Sequence, residues 1–198
     1  DNADLTRGQA ALLLYRTLKS HVNGSTQYYY ETISGVSATE EAILLDADAS
    51  YGGGSGLLMA CSLDGGGIVY YTQDNSQSST LEGSLGTLLF NGSGAVAGFL
   101  PQEGGTLDLT VGSATASAVT ASDGTSYRIS SGAQVISGGE TTAYSTSGYL
   151  LVDAAEGKRV RLYYDDDGAV AYLYLSGGTA SSSQAAVAAT TSAQSSLA

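Results

Sequence analysis

The chain has 198 residues, of which 42% are hydrophobic and 13% are charged, so it can bury a core in one or two domains. Its net charge of −12 excludes the basic surface that binding to nucleic acid or to an anionic membrane requires. The single cysteine, Cys61, excludes an intrachain disulfide and a thiolate metal site, and no apolar run has the length of a membrane span.

The first predicted element is an amphipathic helix that begins at Thr6. Thr6 and Gln9 have the spacing of a capping box, in which the threonine hydroxyl accepts an amide hydrogen bond and the glutamine reaches back. Asn23-Gly24 provides a stop signal. Apolar residues at helical spacing predict a face packed against another element, formed by Ala11, Leu14 and Leu18. We expect His21, the only histidine, on the surface or near the end of this helix.

Residues 4–20 resemble the C-terminal part of an S-layer homology domain, a module that fastens bacterial proteins to the cell wall. The closing motif of the family is Thr-Arg-Ala-Glu before an apolar helix, and Thr6-Arg7-Gly8-Gln9 occupies its positions. The resemblance implies that residues 1–24 end such an anchor. It also implies that Thr6, Arg7 and Gln9 help the complete domain to bind secondary cell-wall polysaccharide, because a guanidinium and free helix N–H groups favour carboxylates. We expect an export signal upstream.

An internal repeat predicts two related β-units after the helix. Residues 82–97 align without gaps with residues 156–171, and both copies share Glu-Gly near the start and Gly-Ala-Val-Ala at the end. Each copy predicts a hairpin in which Gly94 or Gly168 takes a left-handed conformation. Alternation along the later copy predicts one face with Val160, Leu162 and Tyr164, and the other with Arg159, Arg161 and Tyr163.

The predicted fold is therefore mainly β: an N-terminal α-helix, two related small antiparallel β-barrel or β-sandwich units, and a disordered C-terminal tail. The units span residues 34–102 and 106–176, with a join near Pro101 and Gly104-Gly105. The Ser/Ala/Thr-rich residues 177–198 predict a linker or tail. Further strands are predicted over residues 42–46, 57–62, 106–111, 116–121 and 148–152.

The second unit carries a further resemblance, to β-modules of S-layer-homology-containing bacterial surface proteins. Residues 123–127 match the pattern Asp-Gly-Thr-x-Tyr, and residues 157–168 match Gly-x-x-Val-x-Leu-x-x-Asp-x-Asp-Gly. The resemblance implies an extracellular module of a bacterial cell wall or S-layer.

Fourteen tyrosines offer the clearest candidates for a binding surface. Neighbouring residues of a strand point to opposite faces, so each Tyr-Tyr pair predicts one outward ring. Outward rings at Tyr70, Tyr163 and Tyr172 would stack on sugars or fill a protein interface. Alternatively, the tyrosines cover a modest core and form cross-strand pairs.

Acidic residues suggest two further sites. Asp165-Asp166-Asp167 invites a calcium site, although turn-forming residues at a hairpin tip explain the same positions and the spacing of a calcium loop is absent. Paired carboxylates suit a glycosidase, and the candidates are Glu82 with Glu156 or Glu40 with Glu41. Turn chemistry explains the first pair, and we assign no catalytic residue, cofactor or metal ligand. We expect Cys61 to be a small buried residue.

Together these patterns predict a non-enzymatic cell-surface or S-layer-type protein, with a wall-anchor remnant followed by β spacer or display modules. The alternative is a carbohydrate- or protein-binding β-module that uses exposed tyrosines. A third possibility is a fragment of a wall-associated hydrolase. The expected partner is cell-wall polysaccharide, without nucleic acid or membrane insertion.

Overall fold

The computed structural model describes residues 6–175, and the predicted tail over residues 177–198 lies outside them. The mainly β fold is confirmed, with one N-terminal helix before two sets of strands. Neither of the two α-helices in the described residues is long and apolar enough to cross a membrane. The helices are α1 (Arg7–Leu18) and α2 (Tyr149–Asp153), and the strands are β1 (Ala38–Tyr51), β2 (Gly54–Ser62), β3 (Ile68–Tyr71), β4 (Leu85–Phe90), β5 (Val96–Pro101), β6 (Thr106–Thr115), β7 (Ala118–Ala121), β8 (Ser126–Ser137), β9 (Glu140–Ala143), β10 (Arg159–Tyr164) and β11 (Val170–Leu175).

The first unit is a five-stranded antiparallel sheet in the order β3-β2-β1-β4-β5. The fourth strand returns beside the first, which is the Greek-key arrangement. The sheet curls until its two edge strands meet, because Gln73, just after β3, forms a parallel bridge with Val96 of β5. Val96 donates its amide to Thr72 at 2.8 Å, and its carbonyl accepts from Asp74 at 2.8 Å.

The second unit repeats this order and closes more fully. Its strands follow the order β11-β10-β6-β7-β8-β9, and β11 also pairs in parallel with β8, so five strands form a closed barrel. The four-residue strand β9 lies outside the ring, as an antiparallel neighbour of β8. The parallel pairing of Val170 with Ile129 closes the second unit. It corresponds to the pairing of Val96 with Gln73 in the first.

The duplication extends to individual hydrogen bonds. In the first hairpin, Asn91 Oδ1 accepts the amides of Ser93 at 3.0 Å and Ala95 at 3.1 Å. In the second, Asp165 Oδ1 accepts the amides of Asp167 at 3.1 Å and Ala169 at 2.8 Å. The predicted left-handed glycines are confirmed, with φ of 80° at Gly94 and 71° at Gly168. The same backbone framework is therefore built twice from different side chains.

Three apolar clusters hold the two units. One cluster fills the first unit, around Leu44, Leu58 and Leu88, and another fills the second, around Val111 and Leu162. The third, which we call the seam, lies between the units. Its buried members are Ile43, Leu45, Cys61, Ile68, Leu85, Ile136 and Tyr163. Strand β1 is thus buried on both faces, since Ala42 and Leu44 point into the first unit while Ile43 and Leu45 point into the seam.

Helix α1 packs differently from the sequence expectation. The predicted packing face included Leu14, yet Leu14 is 66% exposed and Ala11 is exposed as well. The helix is held instead by Tyr15, whose hydroxyl donates to the Pro101 carbonyl, and by Lys19, whose ammonium lies 3.5 Å from the same oxygen. Leu18, the third residue of the predicted face, is half-buried, so the polar contacts of Tyr15 and Lys19 and this one leucine hold the helix.

The predicted stop of α1 was also misplaced. The helix ends at Leu18, and Gly24, with φ of 76°, instead serves a tight turn between His21 and Tyr28, which pair as an isolated bridge.

The predicted strand over residues 148–152 is wrong, because these residues form α2 after a π-helical turn, Tyr144–Gly148. The buried residues recur every fourth position, at Tyr144, Gly148 and Val152, and Tyr144 and Val152 pack into the core of the second unit. Leu150 and Leu151 point to solvent, so the apolar run is helical in period despite its strand-like composition.

We predict that Gly148→Ala destabilises the second unit by about 1–3 kcal/mol, because overpacking a filled core forces its neighbours to move. A Cβ at this position would lie 2.8 Å from Val135 Cγ2 and 3.0 Å from the Ala143 carbonyl oxygen. Urea denaturation followed by circular dichroism measures the change. The control is Gly92→Ala, where a Cβ meets nothing within 4 Å. Equal stability of the two variants would contradict the tight packing of α2.

Candidate functional site

The predicted polysaccharide-binding residues lie at the start of α1. Thr6 Oγ1 accepts the Gln9 amide at 3.3 Å, and Gln9 Oε1 accepts the Thr6 amide at 2.9 Å, so the capping box is confirmed. Arg7 is the first helical residue, and its side chain lies outside the part of the chain that the structure describes. Thr6 and Gln9 are both exposed, but their capping atoms already bond one another. The role of all three residues in binding polysaccharide stays a prediction.

Helix α1 carries exposed leucines. Leu12, Leu13 and Leu14 are 41%, 60% and 66% exposed. At about 100° per residue, Leu13 and Leu14 lie on the side of the helix away from Tyr15 and Lys19, which attach it to the first unit, while Leu12 lies beside Lys19. Burial lowers the pKa of Lys19, and the nearby negative charges of Glu41 and Glu103 partly oppose this shift.

The structure corrects the expectation for Tyr163. Its ring does not point outward to a ligand but lies in the seam, where it is 2% exposed. Its hydroxyl donates to the Gly83 carbonyl of the first unit at 2.8 Å, and Arg161 Nη1 donates to the same oxygen at 3.0 Å. Burial raises the pKa of Tyr163 above its usual range, which keeps the hydroxyl protonated as a donor. Tyr163 therefore joins the two units.

Tyr70 and Tyr172 lie at the margin of the seam. Both are half-buried and pack against its buried members. The Tyr70 ring stacks on Tyr51 with centroids 4.4 Å apart, so one of its faces is covered by protein. Burial raises the pKa of both hydroxyls. The aromatic surface left for a ligand is smaller than the sequence pattern suggested.

The carboxylates proposed for a glycosidase are dispersed. Glu40 accepts a 2.9 Å hydrogen bond from the hydroxyl of Tyr71, whose ring lies in the core of the first unit. Its neighbour Glu41 lies near Lys19 of α1 and acts to raise the pKa of that ammonium, so the two carboxylates interact with different parts of the protein. Glu82 accepts the amide of Ala47 at 3.2 Å. Glu156 occupies the matching turn of the second unit, and Gly83 and Gly157, the glycines after these glutamates, have φ of 75° and 76°. Repeated turn chemistry explains Glu82 and Glu156.

The remaining chemically reactive groups are held by packing. Cys61 is fully buried in the seam, and this burial raises its pKa to about 12, so the nucleophilic thiolate is suppressed. His21 is exposed and stacks on Tyr28 with ring centroids 4.4 Å apart. Among the described residues, no group of three or more His, Cys, Asp and Glu side chains could hold a metal ion. The candidate calcium ligand Asp165 already uses Oδ1 to cap its hairpin.

A groove of about 460 Å³ opens on the second unit, where the β6–β7 turn, the middle of β8 and the β10–β11 hairpin converge. Its charged side chains are Arg128, Asp165 and Asp167. Serine hydroxyls come from Ser117, Ser130, Ser131 and Ser145, and the remaining lining is apolar and small apart from Ile129. The groove was not predicted from the sequence, because its residues are far apart in the chain and match no recognised motif.

We predict that Tyr163→Phe lowers the free energy of unfolding by about 1 kcal/mol, because it removes one buried hydrogen bond to the Gly83 carbonyl and leaves the ring in place. Urea denaturation measures the loss. The matched control is Tyr164→Phe, on the opposite face of the same strand, which should change stability by less than about 0.5 kcal/mol. If the two variants lose stability equally, the hydroxyl of Tyr163 does not stabilise the seam.

Comparisons with known proteins do not assign a function to this arrangement. No protein-family model matches the chain, and neither a curated protein nor a solved structure does so. The helix start, the seam and the groove are therefore the features of the molecule from which its role is inferred.

Proposed function

We propose that this chain is part of a non-enzymatic cell-surface or S-layer-type protein of a bacterium. Helix α1 belongs to a wall anchor, and the two β-units act as one rigid body that serves as a spacer or display module. The seam is the observation that carries this proposal. It buries apolar residues of both units against each other, whereas independent modules on a flexible linker would leave these faces to solvent.

Polar contacts across the seam add rigidity and support the role of a spacer. Arg161 reaches Gly83 of the first unit while its other guanidinium nitrogens bind Asp108 at 2.6 and 2.8 Å. A second contact joins Thr141 Oγ1 to the Gly66 carbonyl at 3.3 Å. These bonds fix the rotation of one unit against the other, which apolar packing alone specifies less strictly. A body of this kind holds attached modules at a defined distance from the wall.

The N-terminal helix supports the wall anchor. Its capping box agrees with the S-layer homology resemblance over residues 4–20. The exposed Leu13 and Leu14, on the side away from the first unit, suit a helix that packs against the rest of an anchor domain. The complete domain would then bind secondary cell-wall polysaccharide, with Arg7 at the helix N-terminus favouring its acidic groups.

The non-enzymatic part of the proposal is supported by where the reactive groups lie. The thiol of Cys61 is buried with a raised pKa, and the ring of His21 stacks on Tyr28. Glu40 and Glu82 each accept a hydrogen bond from a neighbouring protein group. These side chains therefore have structural partners that account for their positions.

We predict that the protein lies on the surface of the bacterium that encodes it. Antibodies raised against the recombinant chain should label intact cells, and mild protease treatment of those cells should remove the signal. A cytosolic enzyme of the same cells serves as the control, since it must stay unlabelled and undigested. Labelling that appears only after the cells are lysed would contradict a surface location.

A separate prediction concerns Arg7. In the full-length protein, Arg7→Ala should weaken binding to purified cell walls about tenfold, because one charge-assisted contact to a carboxylate is lost. Arg16→Ala is the matched control, because Arg16 lies in the last turn of the same helix and should leave binding unchanged. Sedimentation of the protein with walls measures both. Unchanged binding of Arg7→Ala would remove its assigned role without affecting the surface location.

A further inference from the structure

We propose that the groove on the second unit is a binding site for a neutral, hydroxyl-rich saccharide, recognised by Arg128, Asp167 and the surrounding serines. This inference is independent of the proposed function, because it concerns a site on the barrel and not the wall anchor. It also replaces the expectation that tyrosines form the binding surface.

The groove exists because β8 departs from regular pairing. Between Ile129 and Gln134 lie four residues, whereas only one residue, Ala171, separates their partners Val170 and Tyr172 on β11. The surplus residues of β8 bulge away from the ladder, and bulges of this kind redirect side chains near functional sites. Ser130 and Ser131 fall within the bulge and line the groove. The first unit has a single parallel bridge at the corresponding closure, between Gln73 and Val96.

The groove combines donors and acceptors in the manner that sugars require. A saccharide presents hydroxyl groups that both donate and accept, together with C–H faces. Carboxylates accept from the hydroxyls, a guanidinium donates to them, and serines do either. The apolar Ala116, Ile129 and Ala169 offer a surface for the C–H groups. The volume of about 460 Å³ lies within the range of small-ligand sites.

Asp165 supplies a fixed acceptor at one wall of the groove. The amide of Ala169, the Ser130 hydroxyl, the amide of Asp167 and the charge of Arg128 together lower the pKa of Asp165, against a smaller opposing effect of burial. Its carboxylate therefore stays ionised at neutral pH. Asp167, in contrast, is exposed, and its side chain lines the groove from the tip of the hairpin.

Charge distinguishes a neutral saccharide from other ligands. Two carboxylates face one guanidinium, so the groove disfavours phosphates and acidic sugars. The net charge of −12 on the whole chain adds to this repulsion and opposes a nucleic acid. A neutral, hydroxyl-rich ligand is repelled neither by the two carboxylates nor by the net charge of the chain, and it can still form hydrogen bonds with the polar groups of the lining.

The first unit provides an internal comparison. Its equivalent hairpin has Asn91 and Ser93 in place of Asp165 and Asp167, and Thr72 stands in place of Arg128 before the parallel closure. The backbone framework is thus retained in both units, while Arg128, Asp165 and Asp167 have uncharged counterparts in the first unit, where Asp74 takes the position of Ser130. The hairpin therefore needs a capping oxygen at Asn91 or Asp165 but no negative charge.

The experiment titrates the complete chain, labelled with ¹⁵N, with cellohexaose, xylohexaose, mannohexaose and chitohexaose. We expect at least one of these sugars to cause saturable amide shifts at Ser117, Ile129, Ser130 and Ala169, with none at Asn91–Ala95 of the first unit. Asp167→Asn should weaken the binding about tenfold, because it removes a charged acceptor. Asp166→Asn removes the same charge from the same hairpin but does not line the groove, so binding should stay within about twofold.

Several outcomes would overturn the saccharide site. These are no saturable shift with any of the four sugars, shifts confined to Tyr51, Tyr70 or Tyr172, or equal weakening by Asp166→Asn and Asp167→Asn. Calcium chloride is titrated alone as a further arm. If calcium by itself saturates the same amides, the groove is a cation site and the proposal is wrong. Surface labelling of intact cells would be unaffected by any of these results.

Discussion

The arrangement of the two β-units centres on one backbone oxygen in the seam, the Gly83 carbonyl. It accepts hydrogen bonds from Tyr163 and Arg161, both on β10 of the second unit. Gly83 itself needs a positive φ, and a Cβ there would lie 2.9 Å from Arg161 Nη1. The turn at Gly83, which belongs to the first unit, therefore also binds the second unit. Because the apolar members of the seam surround this contact, the outer faces of β1 and β10 are unavailable to ligands.

Duplication has led to two units that share a framework but have different surfaces. Both retain the same strand order, the same parallel closure, and a hairpin capped by an Asn or Asp side chain. Backbone geometry restrains these features, whereas side chains at the rim are free to change. In the second unit, charged side chains line the groove, at Arg128, Asp165 and Asp167. Fold and site thus occupy different residues of the same repeat.

Local signals in the sequence predicted the local structure well. The capping box at Thr6, the positive φ of Gly94 and Gly168, and the two faces of β10 each depend on a few neighbouring residues. The burial of Tyr163 was not predictable in this way, since it arises from docking of residues about 80 positions apart. Residues 148–152 were misassigned because the apolar composition suited a strand, while the four-residue spacing of Tyr144, Gly148 and Val152 indicated a helix. The interruption of alternation at Ser130-Ser131-Gly132 was the one signal for the groove.

Tyrosine and arginine at the seam keep the contact between the two units in one protonation state over a wide range of pH. Tyr163 and Arg161 are protonated at neutral pH, and burial of Tyr163 and the Asp108 carboxylate beside Arg161 raise their pKa values further. The Arg161 guanidinium in turn holds the pKa of Asp108 below its usual value. The stabilisation of the folded state by Asp108 is therefore fully present above the unfolded pKa of about 3.9. It is lost only as the pH falls through the lower pKa of the folded state. Burial of the Cys61 thiol in the same cluster protects it from oxidants. Near neutral pH, the contact that unites the units therefore depends on no change of protonation.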